Sequence, residues 1–404
     1  MPMNAMAGFP PEDESLITLA TWQEPANVHW SFQRMRELIP SQPIPAAAAP
    51  RPLPTGADVD LSDVTVKRLS GDQASAQTVV DETWTDALIV LHRGRMVTER
   101  YYSGATAETP HLLMSVSKSI VGCVAGLLVE QGLLDPAAHV QQYVPEVATS
   151  GYGDATVRDL LDMRTGVLFR ETYQDPDAEI RVMERSMGWA PPLAGDPVGT
   201  YAYLRTVKRE MPHGGRFTYR SADTDMLGWV CERAAGTRIA DLVSSLVWQP
   251  MGAEAPAEIT CDAVGTGIHD GGISAVARDV ARFGLMLLHD GRVGDRHVVP
   301  ASWLEDAWNR PEDVREAFAK SDSEPVLPGG WYRNQFWFVH TEHDDALVCL
   351  GIHGQMVYVN RRTELVGVKL SSWPTPQDTA SLVDTLRAFR AIGAHLKASV
   401  SLDA

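Results

Sequence analysis

Residues 110–132 read Pro110-His111-Leu112-Leu113-Met114-Ser115-Val116-Ser117-Lys118-Ser119-Ile120-Val121-Gly122-Cys123-Val124-Ala125-Gly126-Leu127-Leu128-Val129-Glu130-Gln131-Gly132. A short extended segment leads to Ser115. Ile120, Val121, Val124, Leu127 and Leu128 then recur at helical spacing until Gly132 stops the run. The predicted helix is apolar nearly all round, which places it at the centre of the fold rather than on its surface. Ser115 and Lys118 form S-x-x-K at its start, and i,i+3 spacing sets both side chains on one face. A serine hydroxyl is a weak nucleophile until a base takes its proton. A lysine desolvated against an apolar helix is expected to have its pKa lowered enough to do so. The helix N-terminus adds unsatisfied N–H groups that favour developing negative charge. Four residues with this spacing arise readily by chance, so it is their place at the head of a buried helix that makes Ser115 a candidate nucleophile.

Before this helix, 87–91 reads as an apolar strand, Arg93-Gly94 as a turn and 96–102 as the returning strand. After it, 135–264 is dominated by helical pieces: 156–163, a long irregular stretch through Pro191 and Pro192, and 222–235 ending at Gly236. A helix over 277–289 leads into a meander of strands at 335–340, 346–350, 355–360 and 365–370, and a helix over 379–397 closes the chain. Strands at both ends with helices between predict an α/β (α+β) fold, with a central antiparallel sheet built from both chain ends, flanked by helices. The expected organisation is an N-terminal arm and linker at 1–55, an α/β sandwich at 56–130 plus 265–404, and an inserted helical subdomain at 131–264. The Pro/Ala-rich stretch 43–54 reads as an extended connector, and the arm, with Trp22, Trp30 and Phe32, as a segment packed on the body.

Composition narrows the function. With 404 residues, 44% of them hydrophobic, the chain buries a large core without disulfide or metal staples. A net charge of -17 repels phosphate backbones and anionic lipid surfaces, which argues against nucleic-acid and membrane partners. No uninterrupted apolar stretch approaches 18 residues, and the first residues lack a basic and an apolar leader region, so a cytoplasmic protein is expected. Cys123, Cys231, Cys261 and Cys349 show neither C-x-x-C nor metal-ligand spacing and read as reduced thiols.

Two further elements bear on the chemistry. Tyr219-Arg220-Ser221 follows Gly214-Gly215 and precedes a helix; its phenol, beside the Lys118 ammonium, could shuttle a proton, although taken alone it reads as a packed ring. The strand Cys349-Leu350-Gly351-Ile352-His353-Gly354-Gln355 carries glycines that would let the backbone approach a substrate, with N–H groups to complete an oxyanion hole.

In this order, the three elements resemble the serine hydrolases of the class C β-lactamase, or penicillin-recognising, fold, which share S-x-x-K, Y-x-N or Y-x-S, and a strand motif usually written K-T-G. The run 155–166, ending in Thr165-Gly166, and Gly271-Gly272-Ile273-Ser274 with Ala277-Arg278-Asp279 are similar to further motifs of that fold. Within it, 112–119, Trp22-Gln23-Glu24-Pro25, 351–355 and Lys369-Leu370-Ser371-Ser372-Trp373-Pro374 look most like the 6-aminohexanoate-dimer hydrolases. The resemblance implies Ser115 as nucleophile, Lys118 and Tyr219 as acid–base pair, the N–H groups of Ser115 and Ile352 as oxyanion hole, and Tyr173 on the leaving amine. It implies cleavage of a small-molecule amide or ester through an acyl-enzyme, with no metal or cofactor, and leaves a homodimer open.

Departures from the pattern matter. Cys349 occupies the K-T-G lysine position, which argues against penicillinase or D-Ala-D-Ala peptidase activity; as a side chain it reads as a small buried hydrophobe. Gln377 stands where the nylon-type enzyme carries an acid, so a carboxylesterase on short acyl esters is an alternative. A catalytically silent peptide-binding relative is another, opposed by the intact Ser115, Lys118 and Tyr219. Glu171, Glu184 and Asp270 could hold a substrate ammonium, or be solvated loop carboxylates. Trp189, Trp331 and Trp373 are candidate pocket walls, with core packing an equal reading. His353 has no necessary catalytic job beside a Lys/Tyr pair.

Overall fold

The strands Thr85–His92 and Leu365–Ser371 are buried along their whole length, as expected of strands covered on both faces. They lie side by side in a seven-stranded antiparallel sheet of a computed structural model that describes residues 5–341 and 344–402. Its order is Trp331–Arg333, Phe336–Thr341, Asp344–Gly351, Gln355–Asn360, Leu365–Ser371, Thr85–His92, Arg95–Tyr101. Both chain ends thus build one sheet, as the sequence predicts, and the expected strands and closing helix agree with the observed ones to within a few residues at their ends.

Each face is closed by helices that reach the sheet over glycines. Ala277–Leu288 covers one face; a Cβ on its Gly284 would sit 2.5 Å from a methyl of Val366. Thr379–Leu402 and Ala76–Glu82 cover the other; there the ring of Phe389 occupies the space a side chain on Gly367 would need, 2.3 Å from its Cβ position. Substituting either glycine would force the layers apart, because close-packed interiors do not absorb an added carbon.

The helix read from the central stretch spans Val116–Glu130, and every residue from Val116 to Leu128 is buried. It packs against Ser221–Ala235, which ends on Gly236 at φ +63°, a left-handed cap that glycine adopts at no steric cost.

A second, four-stranded antiparallel sheet is absent from the sequence reading. Its order is Ser41–Ile44, Ala257–Thr260, Ile273–Val276, Pro110–Leu112. The start of the expected Pro/Ala connector is therefore an edge strand, where Pro43 is tolerated although it lacks an N–H. The arm itself is anchored: Trp22 and Phe32 are buried, and Trp22 Nε1 donates to the Trp189 carbonyl at 2.7 Å. All four cysteines are free and buried. No helix among the described residues is long and apolar enough to cross a membrane, and none of their His, Cys, Asp and Glu side chains cluster as a metal site.

Candidate active site

The short strand Pro110–Leu112 delivers the chain to Met114, whose φ of +47° is strained for a residue with a side chain. This turn sets Ser115 at the N-cap of the buried helix, with its side chain at the edge of a pocket of about 360 Å³. Across the pocket, Gly351 ends its strand and Ile352 opens a single 3₁₀ turn, followed by His353 at φ +59°. The first N–H groups of a helical turn have no partner within it, and Ser115 and Ile352, each at the start of such a turn, line the same cavity. Gly351 lets the two segments meet, since a Cβ there would lie 2.7 Å from the Leu113 carbonyl oxygen.

Lys118 is fully buried one turn along from Ser115. Its Nζ donates to Ser115 Oγ at 2.8 Å, Ser221 Oγ at 3.1 Å and the Asp270 carbonyl at 2.7 Å. Tyr219 lines the same pocket as Ser115, and Lys118 Nζ sits 5.3 Å from the centre of the Tyr219 ring. The candidate nucleophile, lysine and tyrosine are thus together.

The electrostatics correct one expectation. Burial alone would lower the Lys118 pKa, but Tyr219, Asp270, Glu171 and Asp225 surround it, and together they hold it above its ordinary value. Opposite charges near a desolvated ammonium outweigh the desolvation when several act at once. Lys118 is therefore an ammonium at rest. Burial pushes the Tyr219 phenol up to about 12, against the pull of that ammonium.

Acidic residues organise this site rather than standing in solvent. Glu171 Oε1 accepts from the Tyr173 hydroxyl at 2.7 Å and from Ser221 Oγ at 3.0 Å, and Glu171 Oε2 accepts from the Ser221 N–H at 2.8 Å. A continuous path of hydrogen bonds thus runs from Ser115 through Lys118, Ser221 and Glu171 to Tyr173. Burial raises the Glu171 pKa above the usual carboxylate value. Asp270 is placed by Asp225, whose Oδ1 accepts from the His269 N–H at 2.8 Å and the Asp270 N–H at 3.3 Å. The His269 ring lies over Gly228, 2.1 Å from where a Cβ would be, so only glycine fits there. Although burial lowers the His269 pKa, hydrogen bonds and charge from Asp225 and Glu232 raise it to about 9. Glu184 is buried and paired with Arg181 at 2.5 Å, and burial pushes it up to about 7.

The tryptophans divide. Trp373 lines the pocket, and so does Trp337, which stacks on Tyr219 at 5.1 Å and which the sequence reading did not single out. Trp331 is not a pocket wall. It is fully buried, stacked on Phe338 at 4.5 Å with Nε1 donating to the Ala307 carbonyl, because its edge strand turns that side chain under the 301–308 helix. Trp189 stands behind Gly271, outside the pocket lining, with Nε1 donating to Thr260 Oγ1. His353 is structural: its Nδ1 meets the Trp373 carbonyl at 2.7 Å and its ring lies edge-on to Phe32. Burial lowers its pKa to about 4, so it is neutral. Cys349 is fully buried.

Comparison with known proteins shows the family to which the chain belongs. The beta-lactamase family profile matches residues 76–391. A 6-aminohexanoate-dimer hydrolase from Paenarthrobacter ureafaciens is 37% identical over 383 residues, covering 93% of this chain and 95% of that one. A Bacillus anthracis structure with the proposed identity of a 6-aminohexanoate-dimer hydrolase has a TM-score of 0.87 at 26% identity, covering 96% of this chain and 99% of that one. A family VIII carboxylesterase shares the fold, with a TM-score of 0.57 at 16% identity over 83% of this chain and 99% of its own.

Proposed function

Because this chain belongs to the beta-lactamase family, as a serine hydrolase related to the 6-aminohexanoate-dimer hydrolases, we propose that it cleaves small linear amides of ω-amino acids through an acyl-enzyme at Ser115. The observation that carries this reading is Lys118 Nζ at 2.8 Å from Ser115 Oγ, with the Tyr219 ring 5.3 Å from the same ammonium at the edge of the same pocket.

Both Lys118 and Tyr219 favour their protonated forms, so the reactive state is the one in which the pair has lost one proton between them. The pair then takes the Ser115 proton as Oγ bonds to the substrate carbonyl carbon. Negative charge on the carbonyl oxygen is met by the N–H groups of Ser115 and Ile352. The pair returns the proton to the leaving nitrogen as the C–N bond breaks, and water, deprotonated by the same pair, releases the acid and restores Ser115. Tyr173, held on Glu171 behind the pocket lining, is the hydroxyl we assign to the leaving amine, and Glu171, which lines the pocket, supplies negative charge that suits a substrate ammonium.

A second reading, an esterase on short acyl esters, is favoured by Gln377, which borders the pocket as a neutral side chain. Steady-state hydrolysis of the linear 6-aminohexanoate dimer and of p-nitrophenyl acetate separates the two. Turnover of both supports the amidase; turnover of the ester alone moves the function to the esterase.

A further inference from the structure

A larger groove of about 810 Å³ lies between the Thr379–Leu402 helix and the sheet, next to the active-site pocket. Val326, Leu327 and Thr379 border both cavities. The groove is lined by apolar Val66, Val339 and Leu386, by the cations Lys67, Arg387 and Arg390, and by one carboxylate, Asp345, which is held by His340 Nδ1 at 2.6 Å. In a chain of net charge -17, none of these three cations is paired with a carboxylate among the described residues. Arg387 is fixed in place: its Nη1 donates to the carbonyls of Lys67 and Arg68 at 3.1 and 2.7 Å, which leaves its remaining donors available. A partly apolar groove with three cations against one carboxylate is complementary to an aliphatic chain that ends in an anion.

We propose that this groove is a subsite for the carboxylate end of a longer linear substrate, the half that leaves as amine, while its reacting amide lies at Ser115. This rests on the reading of the pocket as a site for ω-amino-acid amides. The charges differ between the two cavities: carboxylates Glu171 and Asp270 gather around Lys118 at the reacting end, and Lys67, Arg387 and Arg390 line the groove. Such a field orients a zwitterionic chain in a single direction.

Reach sets the length of the occupant. Arg390 is eleven residues beyond Thr379, about 16 Å along the helix axis. An extended chain of three atoms per residue covers about 3.5 Å, so one seven-atom 6-aminohexanoate unit covers about 8 Å. Measured from Thr379, where the two cavities meet, a leaving half of one unit stops short of Arg387 and Arg390, and a leaving half of two units reaches them.

The test uses inhibition of p-nitrophenyl acetate hydrolysis by the linear 6-aminohexanoate dimer, the trimer, and the trimer with its terminal carboxylate converted to an amide. The intact trimer should bind the parent at least about fivefold more tightly than the dimer or the capped trimer. The double variant Lys67→Glu/Arg390→Glu should lose that preference, with kcat/KM for p-nitrophenyl acetate unchanged, since neither residue belongs to the reacting site. Equal inhibition constants for dimer and trimer, or a preference that survives in the capped trimer or the double variant, would overturn the subsite. If the oligomers inhibit in the expected pattern but none is cleaved, the subsite stands and the amidase reading fails.

Discussion

Lys118 Nζ lies 2.7 Å from the carbonyl oxygen of Asp270 and 3.4 Å from the carboxylate of the same residue. One residue therefore both positions the ammonium and raises its pKa, together with Tyr219, Glu171 and Asp225. Asp270→Asn keeps the carbonyl and removes the charge. Because the reactive pair must have lost a proton, kcat/KM rises with pH through the pKa of that pair. Losing an opposite charge lowers that pKa, so the rising limb in Asp270→Asn should move to lower pH by about one unit. Below that limb the shift reads as a kcat/KM on p-nitrophenyl acetate up to about tenfold higher in Asp270→Asn than in the parent at one fixed pH, and an unchanged or lower value contradicts the assignment.

The Tyr173 hydroxyl donates to Glu171, which in turn accepts both donors of Ser221, a direct partner of Lys118. An alkoxide leaves with little help, whereas an amine must be held and protonated as it departs. Tyr173→Phe should therefore lower amide hydrolysis at least tenfold, about 1.4 kcal/mol of transition-state stabilisation, and leave ester hydrolysis nearly unchanged. Equal losses on both substrates would make Tyr173 a support for Glu171 rather than a ligand of the leaving nitrogen.

Tyr219→Phe keeps the ring that stacks on Trp337 and removes only the phenol. A proton shuttle is worth on the order of 10² to 10⁴ in rate. A loss in that range in kcat, with KM changed little, is expected; equal activity of variant and parent across the pH profile would remove Tyr219 from the acid–base pair.

Lys369 tests the core rather than the site. It is fully buried, donates to the Thr83 carbonyl at 2.9 Å and to Ser371, and burial lowers its pKa to about 7, with Asp86 opposing. Between about 7 and its ordinary 10.5 the lysine is neutral when folded and charged when unfolded, so its share of stability improves as pH rises through that window. Lys369→Met removes this dependence. Its Tm relative to the parent should be higher at pH 7 than at pH 9, and a difference that grows with pH would contradict the buried neutral form.

How much of this was legible beforehand follows from where the signal lies. The central helix announces itself because Ile120, Val121, Val124, Leu127 and Leu128 leave no polar face, and burial on all sides is the result. The meander strands are legible for the same reason: their apolar runs are long and bounded by turns. The second sheet is not, since Ser41–Ile44 contains Pro43, a residue that reads as connector and is admitted only because the strand is at an edge. Within the site, Ser115, Lys118 and Tyr219 come from motifs, but the state of Lys118 depends on Glu171, Asp225 and Asp270, which reach it from three distant parts of the chain. Trp337 could have been found: in the strand Phe336–Thr341, Phe336 and Phe338 are buried on one face, and the residue between them must face the other way.

The account stands on Ser115 as nucleophile, and covalent labelling tests it most directly. A fluorophosphonate probe should add one equivalent of mass to the intact protein, and peptide mapping should place it on Ser115. Ser115→Ala should gain no mass and fall several orders of magnitude in rate while keeping its Tm within a few degrees of the parent. Labelling of another residue, or more than about a tenth of the parent's kcat in Ser115→Ala, would contradict it.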